Sequence, residues 1–140
     1  MALAVLIAWA VQAAIGVTLL AGWARHGRRS SSTVLTHAAV GILGLAAWTA
    51  YVILDALLLA WIAFVIINVG QVLGDALMMR RHRRVSGVAE GRRREFVAAV
   101  SAVVRGKLHW TVTLHIVFGG VALYFSCLAV CIGATVSAAS

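Results

Sequence analysis

The sequence predicts an all-α polytopic membrane protein, a bundle of four transmembrane helices with both termini on the extracytoplasmic side. Three observations predict it. Hydrophobic residues make up 63% of the chain and charged residues 11%, against about 25% charged in an ordinary soluble domain. Four uncharged runs are each long enough to cross a hydrocarbon core of about 30 Å, which takes roughly 20 apolar residues. The basic residues, finally, are confined to two segments of the chain.

The runs cover about 3–22, 34–54, 56–79 and 108–133 of a single membrane domain, 1–140. The first has no positive side chain ahead of it and a basic cluster behind it, so it is expected to be a retained helix and not a secretory signal. Asp55 separates the second and third runs, which predicts an antiparallel hairpin with its tip at that residue. No proline interrupts any run, so nothing forces a kink. All four are far longer than a barrel strand needs and lack sustained alternation, which leaves helices as the spanning structure.

Orientation follows from the basic residues. Arg25, Arg28 and Arg29 lie between the first two runs, and Arg80, Arg81, Arg83, Arg84, Arg92, Arg93, Arg94, Arg105 and Lys107 between the last two. These are all 12 lysines and arginines, and in a four-span bundle both segments fall on one side, predicted to be the cytoplasmic face of the cell membrane. A net charge of +8 therefore reflects topology and attraction to anionic lipid headgroups, and nucleic acid is not expected as a partner.

Within the cytoplasmic segment 80–107, Phe96, Val97, Val100, Val103 and Val104 recur at helical spacing in a stretch that begins near Glu90. It is too short to span. Flanking arginines predict an interfacial helix on the inner leaflet, with a continuation of the fourth span hinged at Gly106 as the alternative.

The residues that could carry chemistry are polar groups inside the spans. On the second run His37, Gly41, Gly44, Trp48, Tyr51 and Asp55 fall within about 40° of one line at 100° per residue. On the fourth, the line through His115 gathers Thr111, Gly119, Ala122, Ser126, Ala129 and Gly133. The third carries Asn68, Gln71 and Asp75 on one arc, beside Gly70 and Gly74 at GxxxG spacing, and the first carries a weaker face of Gln12 and Gly16. Polar side chains avoid lipid, so these faces are expected to converge inside the bundle, with His37, His115 and Asp75 at similar depth. The same residues serve equally as packing and interhelical hydrogen-bonding groups, worth around 1 kcal/mol each.

The segments His37-Ala-Ala-Val-Gly41 and His115-Ile-Val-Phe-Gly119 share a His-x-x-x-Gly spacing. On these two motifs and its four spans, the chain resembles the small four-helix cytochrome b modules and membrane-anchor subunits of respiratory enzymes. In layout it also resembles uncharacterised four-helix membrane proteins of actinobacteria. Two axial imidazoles with a glycine one turn from each suit a b-type haem. That reading makes the chain an electron-transfer or quinone-associated subunit, with His37 and His115 as iron ligands, Gly41 and Gly119 beside the macrocycle, and Asp75, Gln71 or Asn68 around it.

Two alternatives stand beside it. One is a non-catalytic accessory or scaffold subunit that meets other membrane subunits or further copies of itself; the other is a small proton-coupled transporter. His109 with Trp110 reads as an interfacial anchor, and His26 and His82 as solvated loop residues. Cys127 and Cys131, one turn apart on one helix, are poorly placed for a disulfide and read as packing residues. HExxH, GxSxG, Walker and CxxC patterns are absent, so no enzyme activity of its own is expected.

Cysteine reporters placed at the termini and beside Asp55 should label from outside intact cells, and reporters between Arg80 and Lys107 should not. The reverse pattern would overturn the predicted orientation.

Overall fold

In a computed structural model, which describes residues 1–26, 31–87 and 91–139, the described chain forms five helices: α1 (Ala2–Arg25), α2 (Ser31–Leu54), α3 (Leu57–Ser86), α4 (Arg92–Val104) and α5 (Trp110–Ala139). Of these, α1, α2, α3 and α5 are long and apolar enough to cross a membrane. Arg28, Arg29 and Glu90 lie outside the described residues.

The third helix is longer than its uncharged run. It covers 30 residues, about 45 Å at 1.5 Å per residue, so the cluster Arg80–Arg84 forms its last turns and is not a loop. No residue breaks the helix before Ser86-Gly87, and the basic side chains sit at the negative end of the helix dipole, where they are favoured. Gly87 then caps the helix with φ 69 and its N–H on the Arg83 carbonyl at 3.0 Å. The last helix likewise runs past Gly133 to Ala139.

α4 is a helix in its own right. It stops at Gly106, whose φ of 65 lies in the left-handed region, where the Gly106 and Lys107 N–H groups reach back to Val103 and Ala102. The chain therefore turns at Gly106, and α4 and α5 are separate helices. One face of α4, with Glu95, Ala99, Ala102 and Val103, is buried; Ala99 and Val103 pack with Met78, Met79, Leu108 and Ile116. Glu95 is 5% exposed and pairs with Arg83 of α3. Val103 thus faces protein, while Phe96, Val97, Val100 and Val104 stay exposed on the other side.

α1 packs between α2 and α5, and α3 packs between the same two helices on the far side, so α2 and α5 face each other diagonally across the bundle. The α2–α3 joint is only Asp55 and Ala56. Asp55 turns the chain at φ 50, a left-handed conformation that aspartate tolerates better than most residues. At the end near this turn lies an apolar core of Val5, Trp48, Ala60, Ala63, Ile67, Ala129 and Val130. Its polar edges are satisfied locally. The Trp48 indole donates to the Ala2 carbonyl at 3.1 Å, and the Trp9 indole donates to Ser126 Oγ at 2.8 Å, which itself donates to the Ala122 carbonyl.

Of the glycines on the second helix, Gly44 is buried and Gly41 is exposed. Gly41 was expected inside. Val40 and Gly44 pack against α3, and Gly41 is rotated away from that side by about 60° or more, which puts it on the rim. A Cβ on Gly44 would come within 2.7 Å of Ile67 Cγ1, whereas one on Gly41 would meet nothing within 4 Å.

Gly44→Leu should therefore lower stability by about 1–3 kcal/mol through overpacking, with Gly41→Leu close to neutral. Unfolding titrations in detergent or thermal melts followed by circular dichroism read the difference.

Candidate functional site

Between the apolar core and the basic end, within the first two turns of α2 and α5, the interior turns polar. His37 on α2 and His115 on α5 point inward from diagonal helices, and their rings stand 6.2 Å apart between centroids at 81° to each other. Each imidazole leans on a glycine of an adjacent helix. A Cβ on Gly74 of α3 would lie 3.2 Å from His37 Cε1, and one on Gly16 of α1 would lie 3.3 Å from His115 Cε1. A larger side chain at either position would push the ring away.

The hydrogen bonds follow from these seats. His37 Nδ1–H donates to the Gly70 carbonyl at 2.9 Å, one turn from Gly74 on the same helix. That bond fixes the tautomer and leaves the Nε2 lone pair free. His115 is held from α1, where Gln12 Nε2 donates to the His115 carbonyl at 2.9 Å and lies 3.5 Å from its Nε2. Gln12 is 8% exposed, and its Oε1 is buried without a partner, as is His115 Nδ1.

Gly119 makes room for the glutamines. A Cβ there would lie 2.7 Å from Gln12 Nε2 and 3.9 Å from Gln71 Oε1, so the side chains of α1 and α3 both reach the α5 backbone at this point. The layer thus gathers His37, His115, Gln12 and Gln71, with Gly16, Gly70, Gly74 and Gly119 beneath them.

Other expected members of the site lie elsewhere. Asn68 turns back on its own helix, donating to the Phe64 carbonyl at 2.8 Å. Asp75 lines a separate cleft between α3 and α4 with Val72, Met79, Arg92, Arg93 and Phe96. Gly41 is on the outer rim. Cys127 and Cys131, which read as packing residues in the sequence, are instead exposed free thiols.

Gln12 and Gly16 were underweighted in the sequence. Their Gln-x-x-x-Gly spacing is the same one-turn step that joins Gly70 to Gly74, and it marks a helix that receives a histidine.

Among the described residues no cluster of three or more His, Cys, Asp or Glu side chains is close enough to hold a metal ion. The imidazole pair therefore falls short of a complete protein-only site, which for zinc takes four ligands or three and a water. Comparisons with family profiles, with curated proteins and with solved structures find no match for this chain.

Gly119→Ala should displace Gln12 from the His115 carbonyl and leave buried polar groups unpaired, at a cost of about 1–3 kcal/mol. A matching loss in Gln12→Leu, and no further loss when the two changes are combined, would identify one shared interaction.

Proposed function

We propose that the chain is a small membrane subunit that binds a b-type haem between His37 and His115 and passes electrons beside a partner in the same membrane. The observation that carries this reading is the ring separation. Two imidazoles bound to one iron at about 2 Å, each with its ring centre roughly 1.1 Å behind the ligating nitrogen, have centroids about 6 Å apart. The two histidines stand at 6.2 Å, and they do so from diagonal helices, which leaves the other two helices to flank a macrocycle.

The donor set suits haem in two further respects. His37 already donates Nδ1–H to a carbonyl, the arrangement that orients and strengthens a metal-binding imidazole. Two protein nitrogens also suffice when a porphyrin supplies the other four. A haem held this way provides one-electron transfer, and the residues of this chain supply its ligands, its depth and its exclusion from water. Gln12 and Gln71 reach into the layer beside Gly119, so these two flexible amides are the groups that have to give way to a macrocycle.

That filling of the interior favours a second reading, a non-catalytic accessory subunit in which the histidines and glutamines pack helices together. It requires no cofactor, and it places the chemistry in a partner.

Protein purified from haem-replete cells decides between them. The haem reading expects a Soret band that is lost in both His37→Ala and His115→Ala. A colourless preparation, with both variants still assembling like the parent, would leave the accessory role standing and remove haem.

A further inference from the structure

We propose that the cleft between α3 and α4 is a binding site for one anionic phospholipid, its phosphate on Arg92 and Arg93 and its hydrocarbon chain along Val72, Met79 and Phe96. The inference rests on reading the chain as membrane-spanning with α4 at the membrane surface, and it is independent of haem.

The cleft has a volume of about 440 Å³ and is lined by Val72, Asp75, Met79, Arg92, Arg93 and Phe96. Its chemistry selects the ligand. Two guanidiniums against one carboxylate leave it net positive, so it takes an anion. Its remaining walls are apolar, so the anion carries a hydrocarbon tail.

Position selects a lipid among such anions. From Leu57, at the start of α3, Met79 is about 33 Å along the helix and Val72 about 22 Å. With a hydrocarbon core of about 30 Å, Met79 lies at the level of the headgroups and Val72 in the acyl region. The cleft thus crosses the boundary where a phosphate gives way to a chain.

The arginines themselves have no structural explanation. Arg92, Arg93 and Arg94 occupy the first turn of α4, the positive end of its dipole, where cations are disfavoured. None pairs with an acidic side chain among the described residues, and Glu95 beside them is taken by Arg83. A bidentate phosphate is the ligand that offsets such a cluster. Beyond the cleft, the exposed Val100 and Val104 of α4 continue the apolar surface a lipid would rest on.

The test uses the full chain in mild detergent, titrated with phosphatidylglycerol or phosphatidylcholine, with adducts counted by native mass spectrometry. Phosphatidylglycerol should be retained in preference to phosphatidylcholine. Removing both cleft arginines (R92Q with R93Q) should weaken it about thirtyfold, two charges at roughly 1 kcal/mol each. Removing the same charge elsewhere on the basic segment (R105Q with K107Q) should weaken it less than threefold. Val72→Trp, which fills the inner end without changing charge, should also weaken retention while its helical melt stays that of the parent.

Equal weakening by the two double variants would overturn the site in favour of diffuse attraction. Competition by millimolar glycerol phosphate as effective as the lipid would overturn it in favour of a soluble anion. If the lipid result fails while reporter labelling shows the expected spanning topology, the cleft proposal alone falls.

Discussion

An imidazole inside an apolar bundle needs a place to lie, and the structure supplies it from a glycine of the neighbouring helix, with a polar contact one turn away. His37 donates to the carbonyl of Gly70 and has its seat on Gly74. His115 has its seat on Gly16, while Gln12 donates to its backbone carbonyl and lies 3.5 Å from its Nε2. In each case a histidine near the start of its helix is received by an antiparallel neighbour whose two contributing residues are one turn apart. The arrangement is close to two-fold, with α2 on α3 matched by α5 on α1. Helix spacing at this level is set by these two seats, because bulk at either glycine would move a ring and everything it touches.

Above and below this layer the sequence solves simpler problems. Toward the α2–α3 turn, small residues of α3 and α5 (Ala60, Ala63, Ala129) let Trp48 lie fully buried, and packing holds the helices together with the two indole hydrogen bonds of Trp48 and Trp9. Toward the basic end the bundle would open. There α4 folds back onto α3 and carries Ala99 and Val103 against Met78. The Glu95–Arg83 pair ties it in place, an interaction that costs desolvation but penalises any arrangement in which the carboxylate is buried alone.

The class of the helices, the four long apolar ones and the turn at Asp55 were legible in the sequence, because length and hydropathy act over many residues at once. The small face of α5 was legible too: Gly119, Ala122, Ser126 and Ala129 are all buried. What could not be read was how one helix rotates against another. A line at 100° per residue put Gly41 with His37, yet a few tens of degrees toward α3 carried it to the rim. The same line put Asp75 with the histidines, whereas α4, whose docking no periodicity announces, draws that position into a different cleft. Helix ends were misread for a related reason. Hydropathy stops at the membrane surface, but backbone hydrogen bonding in α3 continues through Arg84 until glycine ends it.

The two-residue joint at Asp55 makes the two histidine contacts unequal in chain length. With only Asp55 and Ala56 between them, α2 and α3 form one tight antiparallel hairpin, and His37 reaches its carbonyl on α3 within that hairpin. The seat of His115 is made between α1 and α5, which lie far apart in the sequence, so it closes a much longer loop of chain, at a larger cost in chain entropy.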